Sequence, residues 1–311
     1  MISFRYHIFT IVAIFLAIGI GLLVGNTVVQ PGLVNDLRNR TDKLSVTAEE
    51  LRGQVGILEN QMSNFQRASD ILPLVDRGGL IGVRVAIVTY DGVDSTLLSE
   101  VQNALATARA DLVAVLSVTD RMAAADDATR KQLASLLGMP PDADPTELQA
   151  QAASSMAQRL ADGLPRLSGS STDVLDELLR GEFLRFPPGS PKVSEGALAQ
   201  FGGKGLVILV VAGGLGEPIV PTDAFMVPLV DALVQRGATV AAAESASTEY
   251  PFIATLRSNP PADGAPMVTV DDADFSIGGA ALVLGLERLL LLGQGGDYGI
   301  KGDVRPIPPL P

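Results

Sequence analysis

The chain has no cysteine and no tryptophan, and its one histidine is His7. Cysteine nucleophiles, Ser-His-Asp triads and the usual Cys/His zinc sets are therefore excluded, because there is no thiol and the one imidazole sits at the edge of a long apolar run. A chain without cysteine also carries no disulfide record of its compartment. Basic residues are outnumbered, 23 Lys and Arg against 35 Asp and Glu, for a formal charge of −12. With no basic patch to track phosphates, duplex nucleic acid is not an expected partner. No GxxxxGK[ST] phosphate loop occurs, and Ala212-Gly213-Gly214-Leu215-Gly216 does not complete a GxGxxG pattern. It reads as a turn that needs glycine.

Charge is also missing from Ile8 to Val29, a run of 22 residues. About 20 apolar residues cross a hydrocarbon core of roughly 30 Å, so 8–29 reads as a transmembrane anchor behind a short flank, 1–7. A cleaved signal peptide is the competing reading, but its apolar region is shorter and Gly25-Asn26-Thr27 is a poor cleavage site. Gly21 and Gly25 form a small-xxx-small pair that would let two such helices approach closely. Arg5 precedes the run and Arg38, Arg40 and Lys43 follow it, a bias that favours a cytoplasmic carboxyl end. Long domains translocate regardless of such charges, so orientation stays open on this ground.

After the anchor an apolar residue recurs every seventh position, at Leu37, Leu44, Leu51, Leu58, Phe65 and Leu72. Val34, Thr41, Ala48, Val55, Met62 and Ser69 fill the other seam position, giving heptads that predict a coiled coil over 30–75. Leucine at one seam position with small or β-branched residues at the other favours a parallel homodimer. The alternative is a single amphipathic helix lying on its own domain. Pro73 and Gly78-Gly79 end the helix.

From 80 to 300, short apolar runs alternate with helical stretches. Val83–Thr89, Leu112–Val118, Gly205–Ala212, Thr239–Ala243 and Met267–Val270 are continuous enough to be strands buried on both faces. Ser95–Ala110, Thr222–Arg236 and Ile277–Leu292 read as crossover helices. The predicted fold class is α/β, a mainly parallel sheet sandwich of Rossmann-like or flavodoxin-like type. Residues 121–200 read as a helical insertion, with helices over Asp127–Leu137, Thr146–Leu160 and Thr172–Phe183. It serves either as a partner-binding subdomain or as a cover over the sheet. Four prolines predict an extended tail over 301–311.

The remaining chemistry is acidic. Asp91 and Asp94 follow the first strand, Glu217 the third, Glu244 the fourth, and Asp271, Asp272 and Asp274 the last. Carboxyl ends of parallel strands are where α/β sheets bind ligands, so this rim is the candidate site for a hard cation or a basic partner. The competing reading is local: Asp91-Gly92 is turn chemistry, and Asp94 and Asp274 are positioned to cap helices. No catalytic residue and no cofactor are identifiable, and the chain is not expected to be an enzyme. Acid catalysis at Asp271 or Asp272 is the remaining enzymatic alternative.

The opening Met1-Ile2-Ser3-Phe4-Arg5-Tyr6-His7, a span ending in Gly25-Asn26, the heptads, Arg84-Val85-Ala86-Ile87-Val88 and Gly296-Asp297-Tyr298-Gly299 together resemble the actinobacterial MctB family of copper transport proteins. The likeness covers essentially the whole chain, and its motifs are architectural. It implies a membrane-anchored protein of the cell envelope with its globular domain outside the cytoplasm, acting in copper export or tolerance. Copper is implied by this resemblance alone. Copper prefers thiolate, thioether or imidazole, whereas Met62, Met122, Met139, Met156, Met226 and Met267 are scattered without a Met-x-x-Met cluster. A membrane barrel would need many alternating segments of about ten residues, which these apolar strands are not. A corynebacterial relative associated with daughter-cell separation implies the alternative: a dimeric envelope scaffold that regulates a cell-separation or cell-wall hydrolase partner.

Overall fold

The computed structural model describes residues 6–25, 43–44, 77–164, 173–214, 216–261 and 264–309. The chain divides into two units, Met1–Met62 and Ser63–Pro311. In the first, helix α1 (Tyr6–Gly25) has a mean hydropathy of 2.8 and buries none of its span within the chain. By length and composition it is the one described helix able to cross a membrane. Around Gly21 and Gly25 nothing lies within 4 Å of where a Cβ would stand. Of the heptad positions only Leu44 falls among the described residues, in a helical segment with Lys43. Val34, Leu37, Ala48, Leu51, Val55, Leu58, Met62, Phe65 and Leu72 lie outside them.

In the second unit, strand alternation decides the layers. Along β1 (Arg84–Tyr90), Val85 and Ile87 face one side while Ala86, Val88 and Tyr90 face the other, and all five are buried. Side chains of successive strand residues point to opposite faces, so a strand apolar at every position must be covered twice. β2 (Asp111–Val118), β4 (Leu206–Val211), β5 (Thr239–Ala243) and β6 (Val268–Val270) follow the same rule. With β3 (Leu184–Arg185) and β7 (Gly296–Tyr298) they form one seven-stranded sheet of order β3-β2-β1-β4-β5-β6-β7. Every neighbouring pair is parallel except β2 with β3.

Helices α2 (Ser95–Thr107) and α8 (Ser276–Leu292) cover the Val85/Ile87 face, with Leu97, Val101 and Leu105 against Val283 and Leu286 in one core. Gly279 lets them approach: a Cβ there would stand 3.0 Å from Ala104 Cβ. The opposite face carries α3 (Asp127–Leu137), α4 (Pro145–Asp162), α5 (Val174–Arg180), α6 (Met226–Gln235) and the short α7 (Ile253–Ser258) in a second core. Residues 121–200 thus lay α3, α4 and α5 over the sheet and return as its antiparallel edge strand β3. Asp94, Asp126, Asp144 and Asp173 each accept a backbone N–H at the start of their helices, satisfying donors that a helix cannot pair internally.

β3, β7 and α7 have no counterpart among the elements read from the sequence. Two- and three-residue strands carry no periodic signal, and Gly296-Asp297-Tyr298 is not an apolar run. The polyproline tail is likewise more engaged than its composition implies. Arg305 forms a parallel bridge with Tyr298, Arg288 donates to the Pro309 carbonyl at 3.0 Å, and Pro308 is buried.

Candidate functional site

The strand order reverses between β1 and β4, and it is outside the carboxyl ends of such strands that α/β sheets place ligands. At this point β1 ends in buried Tyr90, and β4 leads into Gly213-Gly214. The two glycines are clasped by the chain itself. Gly214 N–H donates to Thr248 Oγ1 at 2.7 Å, and that hydroxyl lies 3.0 Å from the Gly214 carbonyl, to which it donates. Gly213 has φ +89°, and a Cβ on it would stand 3.1 Å from both Glu244 Cβ and Thr248 Oγ1. Glycine is needed here for close packing of the loop after β5, in keeping with a turn. Burial, then the Glu244 carboxylate, pushes the Tyr90 phenol pKa up.

Three carboxylates of the predicted rim come together further along the edge with Glu244. Glu244 is fully buried; its Oε2 accepts the N–H groups of Phe252 and Ile253 at 2.7 and 2.9 Å. Its Oε1 accepts Lys301 Nζ at 2.9 Å, and the same ammonium donates to the Ser245 carbonyl at 2.7 Å. Asp271, also fully buried, accepts Ile300 N–H at 2.7 Å and Lys301 N–H at 3.1 Å on Oδ1, while Oδ2 pairs with Arg257. Arg257 donates further to Thr269 Oγ1 at 2.9 Å and the Tyr298 carbonyl at 2.8 Å. Asp274 accepts Ser245 Oγ at 3.0 Å and Ala246 N–H at 2.7 Å. Glu244, Asp271 and Asp274 therefore tie the loop after β5 and the segment after β7 to the sheet edge.

Asp272 differs from its neighbours. It has no exposed surface and neither carboxylate oxygen has a hydrogen-bond partner. Burial foremost, then the charges of Asp271 and Asp274, raises its pKa to about 7. Water is withdrawn without a donor replacing it, so the neutral acid is favoured.

The other rim residues are elsewhere. Asp91 accepts Ser117 Oγ at 2.5 Å and Arg185 Nε at 2.9 Å, pinning β3 to the sheet. Asp94 accepts Thr96 N–H at 2.8 Å as the cap of α2. Glu217 is exposed. The capping role read for Asp274 is corrected: α8 starts after Phe275 with no side-chain cap, because the Asp274 carboxylate is drawn to the 245–246 backbone and hydroxyl instead. Among the described residues no group of three or more His, Cys, Asp or Glu side chains is arranged to hold a metal ion. Apart from Asp272 and the exposed Glu217, the rim carboxylates are bonded internally to arginine, lysine, hydroxyls and backbone.

Softer donors fare no better as a metal set. Met122 and Met156 are fully buried and Met226 nearly so, while Met139 and Met267 pack against the same core. Thioethers in this setting fill irregular space. His7 lies in the first turn of α1.

Sequence reading also missed a second buried ionic centre. Arg159 on α4, only 4 % exposed, makes a bidentate pair with Asp173 at 2.8 and 2.9 Å. It also donates to the carbonyls of Phe201 and Leu198. Its position on the same helical stripe as Ala152 and Met156 is the signal that placed it inward.

The model of the family described as copper transport outer membrane protein, MctB, matches residues 1–309 of the chain. Comparison with curated proteins finds no match.

Proposed function

The chain belongs to the MctB family, and from this we propose that it serves copper transport or copper homeostasis as a membrane-anchored, non-enzymatic protein of the cell envelope. The observation that carries this reading is the extent of the family match, which takes in the apolar helix α1 and the α/β domain alike. In this reading α1 is an uncleaved anchor, the heptads of 30–75 pair two copies with Gly21 and Gly25 assisting, and the domain is Rossmann-like and lies outside the cytoplasm.

Copper is the cargo here. A single apolar helix has almost no polar lining, so any pore would have to be built from several copies or from a partner. The described methionines are in or against the core, and Glu244, Asp271 and Asp274 of the rim are bonded internally. We therefore assign the chain an organising role in copper handling rather than that of a carrier with its own ligand set. These same observations favour a second reading: a dimeric scaffold whose coiled coil or α3–α5 layer regulates a cell-separation or cell-wall hydrolase partner.

Cell-associated copper, measured at fixed external copper with and without the gene, separates the two. Accumulation in the deletion strain, reversed by the intact gene, supports copper export. Unchanged copper together with chained, unseparated daughter cells would overturn it in favour of the scaffold.

A further inference from the structure

Glu244, Asp271, Asp272 and Asp274 converge at the carboxyl edge of the sheet, and Arg257 and Lys301 are the cations bonded into this cluster. These four carboxylates, and the exposed Asp297 that lies 3.6 Å from Arg257, meet two cations, and three of the four are already committed. Glu244 takes Lys301 and two backbone N–H groups, Asp271 takes Arg257 and two backbone N–H groups, and Asp274 takes Ser245 and Ala246. Asp272 is left fully enclosed without a donor.

The enclosure is close. A Cβ on Gly278 would stand 2.6 Å from Asp272 Oδ1, so the first turn of α8 rests directly on this carboxyl. α2 packs against the same end of α8 and contributes the half-buried Glu100, a further negative charge on that side. Asp271 and Asp274 flank it in sequence, and Lys301 is the cation that acts on it. An ionised Asp272 has two ways to find stabilisation: drawing Lys301 away from Glu244, or admitting water by opening the segments above it. Those segments are 244–250 and 299–305, and their fastening bonds run to its neighbours Asp271 and Asp274 and to Glu244.

We propose that Asp272 is a resident proton site that couples closure of these two segments over the carboxyl edge of the sheet to the pH outside them. With the proton bound, Lys301 stays on Glu244 and Arg257 on Asp271, and both segments stay fastened. When the proton leaves to solvent, the fourth charge competes for Lys301 and both segments loosen. The ligand of the site is the proton itself, and the device makes this edge of the domain pH-responsive whatever partner or cargo the protein serves.

Hydrogen exchange of the full-length protein in detergent micelles, followed by mass spectrometry from about pH 5.5 to about pH 8.5, tests this. After correction for intrinsic exchange, peptides spanning 244–250 and 299–305 lose protection roughly tenfold or more as pH rises through about 7, while β4 peptides do not. In Asp272→Asn the protection of both segments is independent of pH. Constant protection in the wild-type protein, or an unchanged pH response in the variant, overturns the proposal. Should Asp272→Asn fail to fold, infrared difference spectra of the wild-type protein decide the matter. A protonated-carboxyl band that disappears through the same pH interval as the loss of protection supports the site, and its absence at pH 5.5 refutes it.

Discussion

Lys301 Nζ donates to Glu244 Oε1 at 2.9 Å, joining residues 57 positions apart across the carboxyl edge of the sheet. Glu244 is fully buried, so its charge depends on this ammonium and on two backbone N–H groups. Removing one partner of a buried pair leaves an uncompensated charge and costs about 3–5 kcal/mol. Lys301→Met should destabilise the fold by somewhat less, about 2–4 kcal/mol, because the backbone donors remain. Adding Glu244→Gln should recover part of that loss. Thermal unfolding of the four members of this double-mutant cycle measures the coupling, and strict additivity would show the pair to be energetically idle.

Arg159 is held by a planar, bidentate match to Asp173 in addition to two carbonyls. Lysine carries the charge but cannot present that fork. Arg159→Lys is therefore expected to lose most of what Arg159→Met loses, about 3–5 kcal/mol, with α5 and the 198–201 segment released first. Unfolding midpoints compared with limited proteolysis after residue 173 test both statements. Full rescue by lysine would mean that charge alone matters.

Gly278 has no room for a side chain: a Cβ would stand 2.0 Å from the Asp272 carbonyl oxygen. The obstruction is backbone, which a rotamer change cannot relieve. Gly278→Ala should cost more than the roughly 1 kcal/mol that alanine normally gains over glycine within a helix, and so reverse the usual sign. A variant as stable as the parent in a thermal melt would contradict the close approach of α8 to this turn.

The Asp272 carboxyl also sets a direction for stability against pH. Its folded value is about 7 against an ordinary 3.8, so between these limits the folded chain binds more protons than the unfolded one. Its contribution is complete below about pH 3.8 and is lost as pH rises through about 7. Burial raises Asp231 and Glu287 in the same direction. The interval corresponds to at most roughly 4 kcal/mol for Asp272. The thermal midpoint of wild-type protein should therefore fall relative to Asp272→Asn between pH 4 and pH 8. A constant difference across that range would be incompatible with the raised value.

Asp303 is exposed, and the chain has no other thiol to confuse a reporter. Asp303→Cys is expected to react with a membrane-impermeant maleimide on intact cells if the domain faces outward. Protection until the cells are lysed would assign the domain to the cytoplasm and reverse the proposed topology.

Local pattern was enough to read much of this protein. The charge-free run beginning at Ile8, the apolar strands around Val85–Val88 and Ile208–Val210, and the helix-capping aspartate at 94 all act within a few residues of themselves. Span length, two-face burial and helix capping are short-range physics, which a sequence displays directly. Heptad spacing is equally local, although its residues lie almost wholly outside those described. The carboxyl edge is different. Asp271, Asp272 and Asp274 are chemically alike in sequence, and the rim as a whole read as one acidic feature. The tertiary structure gave Asp271 an arginine and two amides, gave Asp274 a hydroxyl and an amide, and left Asp272 with nothing. Those partners arrive from segments up to 30 residues away, and for Glu244 from 57. Which carboxylate is paired and which must hold its proton depends on donors that only chain closure over the sheet brings within reach.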